Sequence, residues 1–309
     1  MIKIVAVLGA TATGKSSLGV DLARRFAGEI IACDSRQIYR GLETGTGKAT
    51  PEERREIRHH LMDVINPDEN FNAACYRDLA RQAVREINGR EHRVFLVGGT
   101  GLYLRAFLGL LFPGGEGNRE IRGQIEEKRK KEGDGFLYQW LFQVDPDSAA
   151  RIHAHDIYRI TRALEIYLTT GAPASQMKKK NCFPDPDYQV LKVGLRRDPA
   201  DLLDRISERI EWMYESGFEG RTIVDEVEGL LRNDYDLRIK AFSTIGYREA
   251  VSFFHGEIDR EEAKEKTRRA TWGYARRQMT WFRKEAGIRW FHPRSDAGEI
   301  NAQVEKYLE

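Results

Sequence analysis

Cysteine is scarce in this 309-residue chain: Cys33, Cys75 and Cys182 are the only three, and no two of them form a C-x-x-C pair. That spacing argues against a zinc site or a disulfide framework and leaves reduced thiols as the expectation. No apolar run approaches the roughly 18 residues of a membrane span, so no membrane partner is expected. The first residues already read as a strand, not as a basic-then-apolar leader, so no signal peptide is expected and the reading is cytoplasmic. Net charge is nearly absent: 50 Lys and Arg against 48 Asp and Glu leave +2. Affinity for nucleic acid would therefore have to come from local patches, not bulk charge. Internal repeats and low-complexity segments are missing too. With 41% hydrophobic residues the chain can still build a real core, as one large domain or two modest ones.

What is present begins at the first strand. Ile2 to Leu8 is apolar, and it runs into GATATGKS, that is Gly9, Ala10, Thr11, Ala12, Thr13, Gly14, Lys15 and Ser16. A helical run follows. G-x-x-x-x-G-K-S between a strand and a helix is the P-loop pattern in its confirming context. Its backbone N–H groups wrap a diphosphate or nucleotide, Lys15 supplies a point charge, and Ser16 can hold Mg²⁺ on the phosphates. A glycine-rich turn without function fits that context less well. A P-loop engine also needs an acid at the end of a second apolar strand. The best second strand, His92 to Val97, ends in GGTGLY with no carboxylate. Hydrolysis as a motor is thus unsupported, and transfer from a bound diphosphate compound fits better.

Strand and helix signals alternate to about residue 110: strands at Ile2–Leu8, Glu29–Cys33 and His92–Val97, with a helix through Tyr76–Ile87. This predicts an α/β fold, a P-loop NTPase-like parallel sheet flanked by helices, with ligands at the carboxyl ends of its strands. The P-loop, Asp34 and Thr100 all fall at such ends. The rhythm breaks at FPGGEGN (112–118) and again at TGAPASQMKKK and NCFPDPDY, before a strand at Gln189–Leu195. The charged, helical stretch between reads as an insertion, giving a core of 1–112 and 189–309 and an insertion domain of 113–188.

Asp34 opens DSRQIY. A carboxylate beside a phosphate site can take a proton from an incoming nucleophile; it can equally cap a helix, and both readings stand at this point. Ser35 and Gln37 add groups suited to a base edge. Thr100, within GGTG, either donates to a ligand or sits in a plain turn. His59 and His60 are adjacent, point in different directions, and read as structural. Arg268 to Arg294 is the strongest basic feature, with eight Arg and Lys against the single acid Glu285, interleaved with Trp272, Tyr274, Trp281, Phe282, Trp290 and Phe291. On a helix Arg269, Gly273, Arg276, Arg277 and Thr280 share one side. That mixture suits phosphate contact and base stacking, against the plainer reading of a solvated basic face. Lys178 to Lys180, Arg159 and Arg162 add positive charge in the insertion.

Taken in order along the chain, these motifs resemble the bacterial tRNA dimethylallyltransferase (tRNA isopentenyltransferase) family. The series is GATATGKS, DSRQIYRG from Asp34, GTGKA from Gly45, HHLMD from His59, FNAACY from Phe71 and GGTGLY from Gly98. It goes on with DPDSAARIHAHDIYRITRALEIY from Asp145, TIGYRE from Thr244 and RRQMTWFR from Arg276. It covers nearly the whole chain, and its order is more specific than a P-loop alone. The resemblance implies transfer of a dimethylallyl group from dimethylallyl diphosphate to the N6 amine of the adenosine just 3′ of the anticodon, in tRNAs reading codons that begin with U. It implies Lys15, Asp34 and Thr100 as catalytic, Asp34 as general base, and Ser35, Arg36 and Gln37 at the adenine. Residues matching tRNA-contact positions are Thr100, Arg122, Tyr158, Arg159, Ile160, Thr161, Arg162, Ser243, Thr244, Ile245, Gly246, Tyr247 and Arg248. Arg276, Arg277, Gln278, Met279, Thr280, Trp281, Phe282 and Arg283 complete them. Mg²⁺ as cofactor, held through the diphosphate with Ser16, the anticodon stem-loop of tRNA as partner and a single-chain enzyme are further implications.

The chain departs from the family pattern at Ala10, Glu43, Gly47 and Ala49. It departs more seriously at Ile223, where the family usually has an arginine thought to touch the diphosphate; Arg221 lies near but out of register. The alternative is a free-adenylate isopentenyltransferase, which resembles the P-loop core but is shorter. A small-molecule kinase would lack the strand carboxylate and have no need of the basic-aromatic stretch. A non-catalytic RNA-binding protein would leave Lys15 and Asp34 unexplained.

Overall fold

In the computed structural model, residues 1–110, 118–181 and 187–309 are described, with the side chains of 178–181 left aside. The side chains of lysines 178–180, Cys182, most of the first break point and the 182–186 part of the second therefore lie outside the described residues. The chain divides into two compact units, one of residues 1–107 and 186–309, the other of 108–185.

The larger unit is built on β1 (Ile2–Gly9), whose residues Ile4 to Leu8 are wholly buried. A continuous apolar run without alternation is what a strand covered on both faces requires. Around it stand β2 (Gly28–Ala32), β3 (His59–His60), β4 (Arg93–Gly98), β5 (Tyr188–Leu195) and β6 (Ile288–Phe291). They form one six-stranded sheet in the order β3-β2-β4-β1-β5-β6, every pair parallel. The register brings Leu8 opposite Gly98 and Gly9 opposite Leu195, so the carboxyl ends of β1, β4 and β5 finish level. Helices α1 (Lys15–Arg25), α2 (Pro51–Glu56), α3 (Ala73–Gly89) and α4 (Gly101–Phe107) precede the smaller unit in the chain. That unit holds α5 (Arg119–Glu132), α6 (Asp134–Val144), α7 (Pro146–Ala149), α8 (Ile157–Thr170) and α9 (Ala174–Asn181). It has its own core, with Ile125, Leu137, Leu141, Ile160 and Leu164 packed together. The chain returns to the larger unit with α10 (Pro199–Glu215), α11 (Ile223–Arg232), α12 (Tyr247–Phe254), α13 (Arg260–Phe282) and α14 (Ala297–Leu308).

The sheet, its parallel sense and the strands near 2–8, 29–33, 92–97 and 189–195 agree with expectation to within a residue or so at each end. Two edge strands do not appear in the sequence reading. β3 is two residues long, and β6 lies inside the basic-aromatic stretch: the helix carrying that stretch stops at Phe282, and Trp290 and Phe291 belong to the sheet.

Two glycines at the end of β4 admit close approach. A Cβ on Gly98 would lie 2.1 Å from the Cys33 carbonyl oxygen, and one on Gly101 would lie 2.1 Å from the Trp281 indole nitrogen. Their absent side chains let β2 and α13 close on the same turn.

Candidate active site

At the level end of the strands lies a cavity of about 1180 Å³, lined by the P-loop, the segments after β2 and β4, and one face each of α10 and α13. Gly14 adopts a left-handed conformation (φ 97°) at the start of α1, and the Thr13 hydroxyl donates to the Ala10 carbonyl at 2.8 Å, closing the loop on itself. The first amides of α1, which no earlier turn can satisfy, are available to an anion. The Lys15 ammonium donates back to the Ala10 carbonyl. Burial strips it of water and lowers its pKa to about 8, the negative Asp34 opposes that shift, and positive Arg209 adds to it.

Three arginines that sequence reasoning missed clasp this loop. Arg197 Nε donates to the Thr13 carbonyl at 3.0 Å, Arg205 Nε to the Ala12 carbonyl at 3.1 Å, and Arg209 Nη1 to the Thr11 hydroxyl at 3.2 Å. Arg205 and Arg209 are spaced i, i+4 and so share one face of α10. Burial lowers the pKa of Arg209, with Asp34 again opposing. The only sequence signal was that i, i+4 pair, which looks like any solvated helix face. Ile223, where the resemblance expected an arginine, is fully buried at the start of α11, so the cations beside the P-loop come from α10 instead.

Asp34 follows β2 by two residues. Its Oδ1 accepts the Arg36 amide at 2.8 Å in a local turn; no helix begins between Asp34 and Pro51, so the helix-cap reading does not hold. Oδ2 has no partner among the described residues. Thr100 sits in the turn after β4: its amide donates to the Cys33 carbonyl at 3.1 Å, and its hydroxyl accepts the amide of Ser35, a residue of the cavity wall, also at 3.1 Å. Tyr274 of α13 stands beside them. Burial raises its pKa to about 12, and the Asp34 charge adds to the rise. The Gln37 amide nitrogen is engaged by the Gly47 carbonyl at 3.0 Å, and Arg36 lines the cavity. The atypical Glu43 accepts from Lys48 at 2.8 Å and Arg54 at 3.0 Å, and the same two cations pair with Asp63, which fixes the loop between Ser35 and Ala49. His59 lies on the cavity wall; His60 bonds Glu29 at 2.6 Å, as a structural role requires. Among the described residues no cluster of His, Cys, Asp or Glu could hold a metal by itself.

The residues matched to tRNA contact divide sharply. Gln278 is buried: its Oε1 accepts the Thr11 amide at 2.8 Å and its Nε2 donates to the Gly99 carbonyl at 2.9 Å, so it braces the P-loop against β4 and is not on an outer face. Phe282 and Tyr247 are also core; the Tyr247 hydroxyl donates at 2.5 Å to Glu226, which in turn accepts the Thr44 amide at 2.7 Å. Burial raises the Glu226 pKa. Gly246 is buried too. Thr244 is buried on the cavity wall with its hydroxyl unpartnered, beside half-buried Ile245, and Arg248 also lines the cavity while paired with Glu249. Ser243 is exposed, with its hydroxyl on the Lys240 carbonyl.

Arg276, Arg277 and Arg283 are exposed and have no carboxylate partner among the described residues, whereas Arg268 and Arg269, earlier on α13, both pair with Glu265. Arg277 stacks over the Tyr274 ring at 5.9 Å. Arg276, Arg283, Met279 and Thr280 line a second cavity of about 630 Å³ with Trp272 and Trp290. Trp281 is half-buried, with Arg105 over its ring at 5.1 Å. In the smaller unit Tyr158 is 79% exposed and Arg159 is exposed, with Thr161 half-buried. Ile160 is core and cannot contact RNA. Arg122 and Arg162 are held by the buried Glu165 at 3.0 and 2.7 Å.

The sheet and loop define a protein of P-loop NTPase-like fold, one whose cavity is lined by the Asp34 carboxylate together with the cations Lys15 and Arg209. A family model described as IPP transferase matches residues 37–285. The chain is 43% identical to "tRNA dimethylallyltransferase 2" of Geotalea daltonii, over 98% of this chain and 92% of that one. It is 42% identical to "tRNA dimethylallyltransferase" of Geobacter sulfurreducens, over 99% and 97%. Among solved structures, a full-length tRNA isopentenylpyrophosphate transferase from Bacillus halodurans matches with a TM-score of 0.71 at 35% identity, covering 100% of this chain and 97% of that one. A eukaryotic dimethylallyltransferase described as acting on tRNA matches with a TM-score of 0.83 at 25% identity, covering 99% and 78%. The chain belongs to the IPP transferase family.

Proposed function

We propose that the cavity of the larger unit binds dimethylallyl diphosphate at the P-loop and prenylates the N6 amine of an adenosine flipped out of tRNA, the one 3′ of the anticodon in tRNAs reading codons that begin with U. The enzyme is a tRNA dimethylallyltransferase. One observation carries the division of labour: the Asp34 carboxylate and the Lys15 and Arg209 cations line one cavity and act on each other's charge. An amine inside a base stack is unreachable, so the base has to leave the stack. The bond from allylic carbon to oxygen breaks, the diphosphate leaves with the electron pair, and N6 bonds to that carbon. The N6 proton passes to Asp34. Lys15, Arg209 and the first amides of α1 stabilise the charge on the departing diphosphate.

Mg²⁺ fits as a guest held through the phosphates: Ser16 is exposed at the loop with its hydroxyl unpartnered among the described residues, and one protein ligand beside phosphate oxygens is a normal magnesium arrangement. When bound, it neutralises diphosphate charge. Arg276, Arg277, Arg283, Tyr158 and Arg159 are the proposed RNA contacts, being exposed. Among the described residues no helix is long and apolar enough to cross a membrane, and a tRNA substrate favours the cytoplasm. The free-adenylate alternative has no observation behind it.

Labelled dimethylallyl diphosphate, incubated with unmodified tRNA, with AMP or with ATP, is the test. Label transferred to tRNA alone is expected; label on the free nucleotides and not on tRNA would overturn the reading.

A further inference from the structure

We infer that Trp212 and Phe218 set the length of the allylic chain the donor carries, an inference that rests on the diphosphate lying at the P-loop as proposed above. Arg205 and Arg209 of α10 reach that loop. Trp212 and Met213, three and four residues beyond Arg209, line the same cavity from the same helix. At 1.5 Å of rise per residue they lie about 4.5–6 Å further along the axis. Within one turn, then, the wall changes from guanidinium to indole and thioether. One isoprene unit is about 4 Å long at roughly 1.5 Å per carbon–carbon bond. A diphosphate held by Arg209 puts one such unit against Trp212 and Met213, and a second unit would need another turn of apolar wall.

That further turn does not exist. The helix ends at Glu215, and Phe218 folds back so that its ring meets the Trp212 ring edge to face, centroids 5.1 Å apart at 81°. The wall is fastened from behind. The Phe218 amide donates to the Thr44 hydroxyl at 3.1 Å, the Gly217 amide to the Trp212 carbonyl at 2.7 Å, and the Arg221 amide to the Phe218 carbonyl at 2.8 Å. Side chains in a close-packed wall cannot retreat by an isoprene unit.

The experiment compares kcat/KM for dimethylallyl and geranyl diphosphate, with an anticodon stem-loop as acceptor and product mass as readout. Wild type, Trp212→Ala, Phe218→Ala and Trp212→Phe are compared. Wild type should favour the shorter donor by about 100-fold or more, since even one added methylene in an apolar pocket is worth roughly 10–200-fold. Trp212→Ala and Phe218→Ala should each raise the geranyl-to-dimethylallyl ratio by about tenfold or more, and Trp212→Phe should restore it. Where truncation to Ala unfolds the chain, Phe218→Leu carries the same test with a shallower wall. An unchanged ratio in folded variants overturns the inference. A wild type that fails to prenylate the stem-loop at all overturns the proposed function instead.

Discussion

Asp34 has one carboxylate oxygen on the Arg36 amide and the other unpartnered among the described residues. Asp34→Asn keeps the first bond and removes only the base, so single-turnover transfer should slow by about 10²–10⁴-fold while donor affinity stays within error. Near wild-type turnover would return Asp34 to a purely structural turn. Lys15, with its pKa lowered to about 8, is charged below that pH and neutral above it. Donor affinity should therefore fall as pH rises through 8, and binding near pH 8–9 should take up a proton, because a bound diphosphate favours the charged form. Calorimetry in two buffers of different ionisation enthalpy reads that proton directly; Lys15→Arg should abolish the uptake, and a flat wild-type profile from pH 7 to about 9.5 would refute it. The placement of the P-loop, Asp34 and Thr100 at strand ends was legible because each is fixed by a few consecutive residues. Arg197, Arg205 and Arg209 were not, since their meaning comes from where α10 crosses the loop. Gln278 and Tyr247 were assigned outward, because a motif match says nothing about which way a side chain faces.

Among the elements, α13 carries the clearest test. Arg268 and Arg269 in its middle pair with Glu265, and Arg276 and Arg277 towards its carboxy-terminus have no carboxylate partner among the described residues. Replacing Arg276, Arg277 and Arg283 together by Ala should weaken binding of an anticodon stem-loop and flatten its salt dependence. Each lost phosphate contact should lower the log–log slope by roughly 0.7–0.9. The same slope in the triple variant would make the stretch a solvated face. The long elements were readable from their period or apolar content. β6 was not: four residues, Ile288–Phe291, hidden in a basic run, are a strand only because β5 offers an edge to pair with.

On the scale of the molecule, each unit owns a hydrophobic core: Val5, Phe95, Val193 and Ile300 in the larger, Leu137, Leu141 and Leu164 in the smaller. A ligand stabilises only the fold it binds, by about 2.7 kcal/mol at a hundredfold excess over Kd. Scanning calorimetry with dimethylallyl diphosphate should show two transitions, of which only that of the larger unit moves. One transition shifting as a whole would mean the units unfold together.

The end of β4 has a consequence for inheritance. At Gly98 the nearest obstacle to a side chain is backbone, and at Gly101 it is the Trp281 indole. Every missense change that one nucleotide can make in a glycine codon adds a Cβ, so neither position has a neutral neighbour in sequence space. In a saturation scan selected for tRNA prenylation, both should tolerate no replacement, alanine included, while Gly89, with nothing within 4 Å, should accept many. Lineages of this enzyme can drift around that turn but not through it.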